Sequence, residues 1–78
     1  MIKSQELTDP TSCMSRAGDD EMTFVLLARD AAAPDTIRFW TGRRIASGKN
    51  KENDPQILEA LQCAEAMELE QKGANHSL

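Results

Sequence analysis

Apolar positions mark out one segment of this chain more clearly than any other. From Asp54 onward, Ile57, Ala60, Leu61, Ala64 and Met67 recur at three- and four-residue steps and form one continuous helical stripe. Asp54 is placed to cap that helix, Pro55 fits its first position, and Gly73 reads as its stop. Glu59, Glu65, Glu68 and Glu70 read as its opposite, solvated face, while Ala60, Ala64 and Ala66 are small enough to let another helix approach closely. A second helix is expected in "APDTIRFWTGRRIASG", with Pro34 near its start, Asp35 in its first turn and Gly48 able to end it in a left-handed conformation. Ile37, Trp40, Thr41 and Arg44 share one face, Phe39 points elsewhere, and Gly42 weakens the middle by about 1 kcal/mol relative to Ala. Two large aromatics on different faces imply two buried surfaces, one in the core and one at a subunit contact.

Upstream the pattern is less decisive. "DPTSCMSRAG" predicts a short helix with Asp9 as N-cap, Pro10 at the first position and Gly18 as the stop. In "DDEMTFVLLARDAAAP", Phe24, Leu27, Ala28 and Ala31 keep helical spacing, the acids Asp19, Asp20 and Glu21 suit a helix start, and no second strand is visible. A helix over roughly residues 20–31 is therefore expected. The alternative, a strand over residues 22–28, needs a hairpin or a dimer to satisfy its edges. Residues 1–8 are polar and without period and are expected to be flexible, residues 74–78 read as a flexible tail, and "KNKEN" reads as a linker. The expected architecture is all-α: one domain over residues 9–73, a short bundle of three to four helices. A chain of this size seldom gains more than about 3 to 5 kcal/mol from its core, so the bundle is expected to be completed by oligomerisation.

Composition removes several function classes. Cys13, Cys63 and His76 are the only soft metal ligands, far apart and without a paired spacing, so neither a metal nor another cofactor is expected. The N-terminus has no apolar leader, which implies reduced thiols in a cytoplasm, and the longest run of large apolar residues, "FVLL", is too short to span a membrane. A net charge of -4 argues against general nucleic-acid binding. The single histidine lies in the expected tail, so a nucleophile-histidine device is not expected. Neither phosphate-binding glycine motif is present, and the chain reads as non-enzymatic.

Against that acidic background, "IRFWTGRRIASGKNK" holds five of the nine basic residues, no acid and the only Trp. Bases near a helix C-terminus interact favourably with the helix dipole, which accounts for part of the run. The functional alternative is a ligand-binding set of Arg38, Trp40, Arg43, Arg44, Lys49 and Lys51, with guanidinium forks for phosphate or carboxylate and an aromatic ring for a base. Repeated across a symmetric oligomer, two copies of the segment would enclose a small anionic ligand.

On its D-P-x-S-C opening, its "DDE" and its A-R-D followed by A-P and I-R-x-W, the stretch over residues 9–40 resembles small proteins encoded by tailed bacteriophages and prophages. It departs from them at Met22 and Ala31, where proline is frequent. The resemblance implies a setting, the cytoplasm of an infected bacterium, and non-catalytic countering of host defence. Two mechanisms fit that setting: sequestering a cyclic nucleotide signal at the basic segment, or inhibiting a host defence protein through the acidic faces at Asp19, Asp20 and Glu21 and at Glu65, Glu68 and Glu70. A structural or regulatory protein that works by self-association is the third possibility.

Overall fold

A computed structural model describes residues 1–76, with side chains through Gly73, and its elements are all helical: α1 (Lys3–Thr8), α2 (Cys13–Arg16), α3 (Ala33–Ala46) and α4 (Pro55–His76). α3 and α4 pack against each other as an antiparallel hairpin, and α1 and α2 pack into a separate N-terminal corner. No close backbone approach joins the two pairs, which face each other through side chains alone.

The hairpin follows the apolar stripe except at Leu61, which stays 38% exposed. Ala33, Ile57 and Ala64 are fully buried, Ala60, Cys63 and Met67 are half-buried beside them, and Thr41 is buried with its hydroxyl donating to the Arg38 carbonyl at 2.7 Å. Small residues on α4 bring the helices together. Gly48 adopts a positive φ of 75° just beyond α3, as its position suggested, and among the described residues no other glycine does so. Gly73 therefore does not stop α4, which continues to His76. A glycine that keeps helical dihedrals costs a helix only about 1 kcal/mol. Residues 74–76, expected as tail, belong to the helix, and Ser77 and Leu78 lie outside the described residues.

The N-terminal third departs further from expectation. Residues 3–8, expected to lack an element, form α1, in which the Gln5 side chain accepts the Ile2 N–H at 3.2 Å. α2 is a single turn capped by Ser12, whose hydroxyl accepts the Ser15 N–H at 3.1 Å. Asp9 ends α1 instead of starting α2: its N–H donates to Gln5 and its carboxylate accepts both the N–H and the hydroxyl of Thr11. Those bonds, from the Thr11 hydroxyl first and then its N–H, hold the Asp9 carboxyl below the usual range. Pro10 sits in the resulting turn. Glu6 locks the corner, its carboxylate accepting the Met14 N–H at 2.8 Å and its carbonyl the hydroxyls of Ser12 and Ser15.

The helix expected over residues 20–31 does not form, and no strand forms over residues 22–28. The acids "DDE" supply a turn, in which the Glu21 carboxylate accepts the Gly18 N–H, and the chain then runs irregularly to a second turn at Asp30, whose carboxylate accepts the Ala32 N–H. Helical spacing of Phe24 and Leu27 could not prevail because no partner helix in the chain offers a face to bury them: Met22 is 96% and Phe24 85% exposed. The segment is fastened at one point. Gln71 of α4 donates to the carbonyls of Ala28 and Asp30, both at 2.8 Å.

The surface is large for the mass. The chain exposes 6407 Å² at 8.6 kDa, about 1,700 Å² beyond the roughly 4,700 Å² of a compact monomer of that size.

Candidate functional site

The basic segment occupies the C-terminal half of α3 and the turn that leads to α4. Two of its arginines are committed within the chain. Arg38 pairs with Glu68 of α4 and lies 3.7 Å from Asp35 one turn earlier, so it links the helices. Glu68, expected on a solvated face, is the acceptor of that pair. Arg44 lies over the Trp40 ring, its guanidinium carbon 5.5 Å from the centroid, and its Nε donates to Asn50 Oδ1 at 2.6 Å.

Asn50 is the residue around which the turn is built. Its amide donates to Asp54 at 3.0 Å and Gln56 at 3.1 Å, while its N–H and that of Lys49 both reach the Arg44 carbonyl. Asp54 precedes α4 as expected, and its carbonyl accepts the Leu58 N–H, but its carboxylate turns back to the Lys51 N–H at 2.9 Å and to Asn50. That backbone N–H, then the Asn50 amide and more weakly the Lys51 charge, hold the Asp54 carboxyl below its usual range against a small opposing effect of burial.

Arg43, Lys49 and Lys51 are exposed, and among the described residues none has a carboxylate partner. Of the six residues expected to bind a ligand, then, Arg43 and Lys49 keep uncommitted charge, and Lys51 is drawn only weakly by Asp54. Arg44 and Trp40 form a stacked pair beside them, and Arg38 is engaged elsewhere. Trp40 remains 38% exposed, whereas Phe39, on the outer face of α3, is 70% exposed and buried against nothing within the chain. The core surface expected for one aromatic is therefore only partial, and Phe39 contributes to none.

A second feature has no counterpart in the sequence pattern. Between the N-terminal corner and the hairpin runs an open groove of about 780 Å³. Ile37, Trp40 and Ala60 line it from the hairpin, Cys13 from the corner, and Phe24 and Leu26 from the irregular segment. Its charged groups are Glu6, Glu59 and Arg16. Cys13 and Cys63 both line it as free thiols. Among the described residues no group of three or more His, Cys, Asp or Glu is placed to hold a metal ion, and no helix is long and apolar enough to cross a membrane. The side chain of His76 lies outside those described.

Glu6, Asn50 and Gln71 carry much of the arrangement and were not singled out by sequence. Asn50 and Asp54 stand four apart ahead of a proline, a turn-forming combination that signals the network; Gln71 acts on residues more than forty positions away and leaves no local trace. No protein family, curated protein or solved structure matches the chain.

Proposed function

We propose that this is a non-enzymatic accessory protein of bacteriophage origin that counters host antiviral defence by sequestering an anionic nucleotide signal, acting as a homo-oligomer in the host cytoplasm. The observation that carries the reading is the α3–α4 turn. There Arg43 and Lys49 hold uncompensated charge, with Lys51 offset only weakly by Asp54, on a backbone fixed by the Asn50 network, beside an indole already stacked with a guanidinium. In a chain of net charge -4, this is where a small anion finds favourable potential. Phosphate would take charge-assisted hydrogen bonds from Arg43 and the two lysines, and a base would stack on the exposed part of Trp40.

Titration calorimetry against a panel of cyclic mono- and dinucleotides tests this. Binding of one member is expected, weakened by about tenfold or more in Arg43→Ala, since a hydrogen bond to a charged group contributes roughly 1.5 to 3 kcal/mol. Arg38→Ala is expected to leave affinity unchanged. No heat from any member of the panel would sink the proposal.

The groove favours a second reading, inhibition of a host defence protein. Its lining is mainly apolar with two carboxylates and one guanidinium, a chemistry suited to a polypeptide more than to a polyanion. In that reading, Glu59→Lys in the groove, together with reversal of the exposed charges of Asp19, Asp20, Glu21, Glu65 and Glu70, abolishes capture of the host protein, and Arg43→Ala does not.

A further inference from the structure

The segment Met22 to Leu27 is the least accommodated part of the molecule. No backbone N–H or C=O of residues 22–26 finds a backbone partner among the described residues, and the first group held by a side chain is the carbonyl of Ala28. Its side chains are apolar apart from Thr23, at least half of each of Met22, Phe24, Val25 and Leu27 is exposed, and it contains neither proline nor charge. Thr, Phe and Val are residues that suit a pleated strand. An unpaired apolar stretch of this kind is a template for adding another strand.

We propose that residues 22–27 are the self-association element: two copies lay these segments antiparallel about a two-fold axis, so that each satisfies the other's backbone groups. The inference rests on the oligomeric part of the proposed function and is indifferent to the ligand.

Charge selects the direction. Asp19, Asp20 and Glu21 precede the segment, and Arg29 and then Asp30 follow it, Arg29 exposed and without an ion-pair partner among the described residues. A two-fold axis through an antiparallel pair sets one residue opposite its own copy, and centring the pair on Phe24 brings Asp19 of one copy to Arg29 of the other, twice by symmetry, with Asp30 against Gly18. A parallel pairing would set acids against acids.

Area leaves room for a second copy, since the surplus is spread over the whole chain. The surplus of about 1,700 Å² per chain becomes about 3,400 Å² for a pair, within the range of roughly 2,000 to 5,000 Å² buried by obligate dimers. A two-stranded ribbon alone is marginal in water, but this one has backing at Leu26, which is half-buried where it lines the groove.

Sedimentation equilibrium of the full chain, with residue-resolved amide exchange and a charge-swap pair, tests the proposal. The expected result is a dimer or an even multiple of it in which alternate amides between Thr23 and Leu27 exchange on the order of a hundredfold more slowly than in a free peptide. Arg29→Asp should weaken association by up to about thirtyfold, the scale of two cross-strand ion pairs per dimer, and adding Asp19→Arg to the same chain should restore it. An oligomer whose residue 22–27 amides exchange at free-peptide rates overturns the strand pairing while leaving oligomerisation intact. A monomer at all concentrations overturns both, and a charge swap that fails to restore association overturns the antiparallel register.

Discussion

The α3–α4 hairpin and the N-terminal corner are both pairs of helices, yet they are held by different forces. The hairpin closes over fully buried apolar side chains, Ala33, Ile57 and Ala64, and each end is clasped, by the Asn50 network at the turn and by Gln71 at the far end. The corner buries no large apolar residue. It is assembled from the bonds of Glu6 and Ser12 to backbone and hydroxyl groups no more than nine residues away. A chain this short has apolar surface enough for one packed pair, and the other relies on hydrogen bonds worth about 1 kcal/mol each. The two should therefore differ in stability, with the corner opening while the hairpin stays closed.

The largest effect is expected in the hairpin. Ile57→Ala should cost about 2 to 5 kcal/mol, comparable to the whole stability expected of a domain this small, so most of the helical circular dichroism should disappear at room temperature. A urea midpoint no lower than that of a surface variant would show that the hairpin does not determine stability. Ser12→Ala should cost about 1 kcal/mol, confined to the corner: amides of Met14 to Ala17 exchange faster and those of α4 do not change. Equal acceleration in both regions would make the molecule one cooperative unit and erase the contrast.

Acid should produce the smallest effect and touch both halves, since each has one depressed carboxylate, Asp9 in the corner and Asp54 at the hairpin turn. A carboxyl whose folded pKa lies below its unfolded value contributes stability that is complete above the ordinary value of 3.8 and is lost as pH falls through the lower, folded value. The Lys51 and Thr11 amide resonances, which report these carboxylates directly, should titrate with midpoints below 3.8. Asp54→Asn should remove the Lys51 transition alone. A midpoint at or above 3.8 at either site would contradict the hydrogen bonding described for it.

The sequence made the hairpin legible because its information is local and redundant. The α4 stripe, the prolines at both helix starts and the left-handed Gly48 agree with one another, and each acts within a turn or two of itself. Residues 20–31 were misleading for the converse reason. Helical spacing at Phe24, Leu27, Ala28 and Ala31 is a statement about a face, and a face becomes a helix only when something covers it. The candidate site was legible as a composition but not as a division of labour. That Arg38 is neutralised by Glu68, and that Arg44 serves Trp40 and Asn50, depends on how α3 is rotated against α4.

The Gln71 clasp also sets an order of events during synthesis. Everything that closes the N-terminal corner has been made once Arg16 has emerged from the ribosome, so that corner can form while the rest is still being translated. The clasp must wait for Gln71, 41 residues after the Asp30 carbonyl it secures. Throughout that interval the nascent chain carries Met22, Phe24 and Val25 uncovered and untethered, next to neighbouring nascent copies on the same message. Polysomes thus offer the segment its earliest encounters, and the three acids just ahead of it, which repel their counterparts in any parallel approach, guard it from the start.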